Sequence, residues 1–168
     1  SSPSRGLGDV YKRQVYNPTR VLTQDFLKEF HIKTTFYNPH DLNSLNKIIN
    51  KKTKLIFVEN PGSNSFEFQD LSKIITIAKK RKVLTAIDNT WATPYFFKPM
   101  KLGFDMSIVS ATKYYSGHSD VMGGSLAVNK KVFKHVEKTQ KIIGLRLGPD
   151  DAYFCLLYTS PSPRDGLL

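Results

Sequence analysis

Residues 83–113 read VLTAIDNTWATPYFFKPMKLGFDMSIVSATK, and no other part of the chain indicates the fold class as clearly. This segment contains two short apolar runs, Val83 to Ile87 and Met106 to Val109. The first run ends in the polar cluster Asp88-Asn89-Thr90, and the second ends in Ser110-Ala111-Thr112-Lys113. Short apolar runs bounded by turn residues are typical of strands that are buried on both faces of a parallel sheet.

The flanking sequence repeats this pattern and places helices between the strands. A third apolar run, Lys54 to Val58, ends in the polar cluster Glu59-Asn60-Pro61-Gly62-Ser63. The alternation of short strands with helical periodicity predicts an α/β fold with a mostly parallel sheet. The other predicted elements are strands at Lys33–Tyr37 and Val121–Val128, and helices at Asp41–Asn50, Asp70–Arg81 and Lys130–Lys141.

The polar clusters suggest a binding site, because ligands of open α/β sheets bind at the carboxyl ends of the strands. Lys113 has two hydroxyl neighbours that could bind a phosphate, although such a cluster taken alone is more often a structural turn. A buried carboxylate such as Asp88 needs a cationic partner, and it could equally cap the turn that follows. No Gly-x-Gly-x-x-Gly or Walker-type loop is present, which disfavours a nucleotide site. The single tryptophan, Trp91, could line the crevice or fill the core, and its residue type favours the core.

Three segments together resemble the Cys/Met-metabolism family of pyridoxal-phosphate (PLP) enzymes: DMSIVSATKYYSGHSDVMGG from Asp105, IDNTWATP from Ile87 and FVENPGS from Phe57. Within the family, the segments PGS and DNTWA are more similar to the corresponding sequences of bacterial cystathionine β-lyases than to those of γ-synthases or γ-lyases. The resemblance implies a three-layer α/β/α large domain of the aspartate aminotransferase-like kind, fold type I, present only in part. Tyr115 departs from the family, which generally has an aliphatic residue there.

The resemblance also implies roles for five residues. Lys113 would form the Schiff base with PLP and then carry the proton from the substrate's Cα. Asp88 would pair with the protonated pyridine nitrogen, and Ser110 and Thr112 would hold the phosphate. Ser63 would lie near the 3′ oxygen of the cofactor or near the substrate.

The activity implied by the resemblance is α,β-elimination of L-cystathionine to homocysteine, pyruvate and ammonia, within methionine biosynthesis. Cystathionine γ-synthase or γ-lyase activity is the alternative within the family. The family further implies a cytoplasmic homo-oligomer, usually a tetramer, that acts on a small amino acid without a metal, a membrane or a nucleic acid. His118 and Asp120 of the GHSD turn are expected to be structural.

Both ends of the chain are predicted to be non-native. One set of codons for Ser4 to Gln14 has a reverse complement that, read one base out of frame, encodes CLLYTSPSPR, which is Cys155 to Arg164. We therefore expect residues 1–14 and 155–168 to be adapter-like scars, and residues 15–154 to be a fragment of the PLP-binding large domain. The family's ring-stacking tyrosine and substrate-binding arginine would lie outside this fragment, which is expected to be inactive alone.

The net charge of +11 allows a different class of function, a basic nucleic-acid-binding module. The lysines are spread along predicted helices, as in Lys79-Lys80-Arg81-Lys82, without a nucleic-acid motif or an aromatic stacking platform. A solvated lysine-rich face explains this pattern better. The single cysteine, Cys155, lies in a predicted scar and provides neither a disulfide framework nor a zinc site.

Overall fold

The structure is a computed structural model that describes residues 15–159, with side chains placed through residue 157. The described residues divide into two compact units, residues 15–85 and residues 86–159. The division falls inside a strand, β2 (Leu84–Asp88).

The first unit places helices before and after one strand. In the part that the structure describes, the N–H of Leu84, at the start of β2, donates to the carbonyl of Lys54 at 3.2 Å. β2 therefore begins beside the strand that follows Lys54. The elements of this unit are α1 (Asn17–Val21), a π-helical turn (Leu22–Phe26), α2 (Leu27–Glu29), α3 (Leu42–Ile48), β1 (Leu55–Glu59) and α4 (Leu71–Arg81).

The two longer helices of the first unit begin at the aspartates that the sequence predicts. Asp41 accepts a hydrogen bond from the Asn43 amide at the start of α3, and Asp70 accepts one from the Lys73 amide at the start of α4. These bonds satisfy amides that have no partner within the helix. The hydrogen bond from Lys73 also lowers the pKa of Asp70. The inner face of α4 buries Leu71, Ile74, Ile75 and Ala78.

The predicted strand at Lys33–Tyr37 is wrong. Among the described residues, no backbone hydrogen bond joins this segment to a neighbour, and no strand is present there. A single extended segment is not stable as a strand unless another strand pairs with it. This segment therefore lies outside the sheet despite its β-forming residues.

The second unit contains the rest of β2 and two further strands in the order β2-β3-β4. β2 pairs with β3 in parallel, with Asp88 opposite Ile108, and β4 pairs with β3 antiparallel, with Gly124 opposite Ser110. The sequence predicts the last strand at Val121–Val128, whereas the observed strand begins only at Gly124. The elements of this unit after β2 are α5 (Thr93–Phe96), α6 (Pro99–Leu102), β3 (Met106–Ser110), β4 (Gly124–Val128), α7 (Lys130–Ile143) and α8 (Pro149–Thr159).

The core of the second unit lies around β2 and β3, and Ile87 and Phe104 are almost fully buried. The connection between the two strands contains two short helices: Pro94 and Pro99 lie in the first turns of α5 and α6, and Gly103 ends α6 with a φ of 114°. This crossover brings the end of β3 beside the end of β2. No helix in the described part of the chain is long and apolar enough to span a bilayer.

Candidate functional site

The second unit brings two of the predicted polar clusters together at the carboxyl ends of β2 and β3. The backbone N–H of Asn89 donates to the carbonyl of Ile108 at 2.7 Å, which extends the pairing of the strands by one residue. The Thr90 hydroxyl then accepts a hydrogen bond from the Ser110 amide at 2.8 Å. Thr90 thus ties the loop after β2 to the last residue of β3, a role that the sequence does not reveal.

Asp88, the last residue of β2, is half-buried at this edge. Its Oδ1 accepts a hydrogen bond from the Thr90 amide at 2.9 Å. Its Oδ2 has no hydrogen-bonding partner among the described residues. Both interpretations of Asp88 are therefore geometrically compatible, because one oxygen caps the turn while the other remains open to a cation.

Lys113 lies in the loop after β3, in a turn formed by its own backbone. Its amide donates to the Ser110 carbonyl at 3.2 Å, and its carbonyl accepts from the Gly117 amide at 2.9 Å. Gly117 has a φ of 72°, a left-handed conformation that glycine adopts without strain. The side chain of Lys113 is exposed, and its ammonium forms no hydrogen bond or ion pair with the residues that the structure describes.

The two predicted phosphate ligands differ in how their hydroxyls are used. Ser110 is half-buried, and its hydroxyl has no partner among the described residues. The Thr112 hydroxyl accepts a hydrogen bond from the Gly123 amide at 3.0 Å and lies 3.4 Å from the Gly123 carbonyl. Since a hydroxyl is one donor and two acceptors, only the longer contact uses the proton of Thr112.

Ser63 belongs to the first unit and follows β1. Its side chain is exposed, and its hydroxyl donates to Oε1 of the buried Glu59. Oε2 of Glu59 accepts the Tyr16 amide at 2.8 Å. The Ser63 hydroxyl is thus engaged within its own turn, and its role near a cofactor stays a prediction.

The turn that carries Ser63 is held by Gln69. The backbone amide of Gln69 donates to Asn60 Oδ1 at 2.7 Å, and its side-chain amide donates to the Glu59 carbonyl at 3.1 Å. The Tyr37 hydroxyl donates to Gln69 Oε1 at 2.5 Å. Burial raises the pKa of Tyr37, so the phenol remains a neutral donor throughout the range in which proteins are studied.

The sequence also leads to expectations for the positions of Trp91 and His118, which lie in the loops after β2 and β3. Trp91 is 56% exposed, so the prediction that it lies in the core is wrong. It follows the polar end of β2, where the chain leaves the sheet. The Nδ1 atom of His118 lies 2.7 Å from the carbonyl of Ser116, which agrees with the structural role expected for that histidine.

Asn89 is fully buried beside Asp88, and its Oδ1 atom has no partner among the described residues. Its Nδ2 donates to the Phe97 carbonyl at 3.1 Å. We expect the substitution Asn89→Asp to destabilise the chain by about 3 kcal/mol or more at neutral pH, because it buries an unpaired charge. The measurement is urea unfolding as a function of pH.

The pH dependence separates this effect from a simple loss of packing. Burial raises the pKa of the introduced carboxyl above its unfolded value of about 3.9. The stability of the Asn89→Asp variant should therefore be highest below about pH 4 and fall as the pH rises through the folded-state pKa. Asn89→Leu, which adds no ionisable group, should show no such additional loss. Equal pH profiles for the two variants would contradict this explanation.

Comparison with known proteins identifies relatives of the chain. A family model described as Cys/Met metabolism PLP-dependent enzyme matches residues 4–157. A putative cystathionine beta-lyase of Rhizobium johnstonii is 37% identical over 139 residues, which are 83% of this chain and 35% of that protein.

Two solved structures share the fold. Cystathionine gamma-lyase from Lactobacillus plantarum, complexed with L-serine, superposes with a TM-score of 0.81 at 33% identity, over 85% of this chain and 38% of that chain. A putative O-acetylhomoserine (thiol)-lyase from Campylobacter jejuni, solved with N'-pyridoxyl-lysine-5'-monophosphate, gives 0.80 at 28% identity, over 86% and 44%. These similarities confirm the predicted α/β fold of a PLP-dependent enzyme, present in part.

The chain spans between 35% and 44% of the length of these three relatives. Within the part of the chain that the structure describes, no group of three or more His, Cys, Asp or Glu side chains could hold a metal ion. The family model covers nearly the whole sequence, including the segments that carry Asp88 and Lys113. The chain belongs to the Cys/Met metabolism family of PLP-dependent enzymes.

Proposed function

We propose that this chain is the cofactor-binding part of a carbon–sulfur lyase that acts on L-cystathionine. The reaction is α,β-elimination, in which cystathionine and one water give homocysteine, pyruvate and ammonia. One observation carries the proposal: the amine of Lys113 and Oδ2 of Asp88, neither of which has a partner among the described residues, belong to residues at the carboxyl ends of neighbouring parallel strands. The similarity to a putative cystathionine beta-lyase supports the choice of substrate.

The side chains at this edge fit the chemistry of pyridoxal phosphate. The cofactor carries an aldehyde, a basic ring nitrogen and a phosphate, which require an amine, an anion and compact donors respectively. Lys113 offers the amine, and Asp88 offers a carboxylate oxygen that has no partner among the described residues. Within the same part of the chain the Ser110 hydroxyl makes no hydrogen bond, and Thr112 could turn its proton to a phosphate while keeping the shorter bond from Gly123.

When bound, pyridoxal phosphate supplies an electron sink for the negative charge that develops at the substrate's Cα. Lys113 would hold the cofactor through its Nζ atom, and the same amine would serve as the general base for the proton on Cα. Asp88 would face the ring nitrogen, where its carboxylate would favour the protonated form. Ser110 and Thr112 would hold the phosphate, and the role of Ser63 near the 3′ oxygen or the substrate stays a prediction.

A γ-lyase or γ-synthase is the second candidate, and the similarity to cystathionine gamma-lyase from Lactobacillus plantarum favours it. Such an enzyme would use Lys113 and Asp88 in the same way but would also move a proton at Cβ. The products distinguish the two candidates. The β-lyase releases pyruvate and homocysteine from cystathionine, whereas the γ-lyase releases 2-oxobutyrate and cysteine.

We further propose that the complete enzyme is a cytoplasmic homo-oligomer, a tetramer as is usual in the family. Several large apolar side chains of the second unit support the idea that further protein covers this unit. Tyr95, Phe96 and Met122 are each more than four-fifths exposed. Monomeric soluble proteins rarely leave large contiguous apolar surface in contact with water.

The experiment incubates L-cystathionine and pyridoxal phosphate with the complete enzyme that contains residues 15–154, and separately with the 168-residue chain. We expect pyruvate and homocysteine from the complete enzyme and no turnover from the chain, which spans at most 44% of the compared relatives. Mass spectrometry identifies the products. Formation of 2-oxobutyrate would replace the β-lyase assignment with the γ-lyase one, and robust pyruvate release by the chain alone would refute the prediction of an inactive fragment.

A further inference from the structure

Ser116, three residues after Lys113, is a buried polar residue with no role in the proposed chemistry. Its side chain is 1% exposed. Its hydroxyl donates to the carbonyl of Thr112 at 3.1 Å, and its amide donates to the carbonyl of Ala111 at 3.1 Å. Its own carbonyl lies 2.7 Å from His118 Nδ1. All three contacts remain within the turn formed by residues 111–118.

The hydroxyl of Ser116 acts on the peptide unit from which Lys113 projects. The carbonyl of Thr112 and the amide of Lys113 belong to the same planar peptide group, so a bond to that carbonyl fixes the orientation of the whole group. The amide of Lys113 is held as well, by the carbonyl of Ser110 at 3.2 Å. The direction in which the lysine side chain leaves the backbone is thereby fixed, although the side chain itself is exposed.

The other side of this peptide group is anchored through Thr112. The Thr112 amide donates to the Gly123 carbonyl at 3.3 Å, and the Thr112 hydroxyl accepts from the Gly123 amide at 3.0 Å. Thr112 is therefore connected to Gly123 on one side and to Ser116 on the other. Of these contacts, the Ser116 hydroxyl bond is the one that can be removed without altering a predicted cofactor ligand or a glycine.

We propose that Ser116 is a positioning residue that orients Lys113 toward the aldehyde of the cofactor. This inference rests on the proposed function, because Ser116 has a positioning role only if Lys113 is the residue that binds the cofactor. Ser116 itself touches neither the cofactor nor the substrate. Its contribution is to restrict the backbone at Lys113, so that the amine samples fewer unproductive directions.

The test measures where pyridoxal phosphate attaches to the 168-residue chain. The chain is incubated with pyridoxal phosphate, reduced with borohydride to make the adduct permanent, digested, and analysed by mass spectrometry for the initial rate of labelling at each lysine. We expect Ser116→Ala to slow labelling at Lys113 roughly three- to tenfold, the loss corresponding to one hydrogen bond. Labelling at exposed lysines of α7, such as Lys130, should not change.

Two further variants separate positioning from general destabilisation. Ser107→Ala is the matched control, since Ser107 is a buried serine of β3, 4% exposed, whose hydroxyl has no partner among the described residues. It should leave labelling at Lys113 unchanged. Ser116→Cys retains a weak donor of similar size and should give an intermediate rate. An equal slowing in Ser107→Ala would overturn the proposal.

Hydrogen exchange of the chain without cofactor distinguishes failure of this inference from failure of the proposed function. Ser116→Ala should accelerate exchange at the Ser116 and Gly117 amides, whose bonds close the turn. Faster exchange with unchanged labelling at Lys113 would overturn the positioning role alone. If the unsubstituted chain showed no preference for Lys113 over other exposed lysines, the proposed function would fail and the positioning role with it.

Discussion

Replacing Lys113 with alanine is expected to abolish site-selective capture of pyridoxal phosphate by this chain. The reason is chemical, because the aldehyde needs an amine nucleophile and alanine has none. Other lysines are exposed and will react to some extent, so a low background should remain at all of them. The measurement combines the visible absorbance of the chain with pyridoxal phosphate and the borohydride-trapped adducts at each lysine.

Two control variants show whether the amine or the charge of Lys113 matters. Lys113→Arg keeps a positive charge but has no nucleophilic amine, because a guanidinium remains protonated. It should lose the covalent adduct while retaining most of the electrostatic attraction for the phosphate. Lys130→Ala removes an exposed lysine at the start of α7 and should change nothing at position 113. An absorbance band of undiminished intensity in Lys113→Ala would refute the assignment of this lysine.

Much of the second unit can be predicted from the sequence, because its strands are short apolar runs that end in polar clusters. Val83–Ile87 and Met106–Val109 lie within one residue of the observed strands β2 and β3. The polar residues that follow each run lie at the carboxyl ends of the strands and in the turns after them, where the register of parallel strands brings them together. The aspartate caps at Asp41 and Asp70 are equally local signals.

The features that could not be predicted depend on neighbours that are distant in sequence. Lys33–Tyr37 has the composition of a strand, but strand formation requires a hydrogen-bonding partner that the described residues do not provide. The bond from the Ser110 amide to the Thr90 hydroxyl joins residues twenty positions apart, and no pattern in the sequence reveals it. The same holds for Ser116, whose burial results from the path of the whole loop.

The second large effect is expected for Asp88→Asn, which should weaken cofactor binding without disturbing the turn. An asparagine Oδ1 can still accept the bond from the Thr90 amide, so the loop after β2 keeps its anchor. The substitution removes the negative charge that would face the protonated ring nitrogen. A charge-assisted hydrogen bond contributes about 1.5–3 kcal/mol, so the dissociation constant should rise roughly ten- to 150-fold. Pyridoxamine phosphate, which lacks the aldehyde, measures this affinity by titration without the covalent step.

Asp105→Asn is the matched control for loss of one negative charge in the same unit, because Asp105 is also half-buried and accepts a hydrogen bond, at 2.7 Å, from Asn129. It should leave the affinity near that of the unsubstituted chain.

A cofactor analogue with carbon in place of the ring nitrogen completes a double-mutant cycle, since it removes the partner that Asp88 is proposed to hold. If Asp88 acts on the nitrogen, Asp88→Asn should weaken binding of pyridoxamine phosphate but not of the analogue. An equal loss for both ligands would mean that Asp88 acts only by capping the turn through Thr90, and the pairing with the ring nitrogen would have to be abandoned.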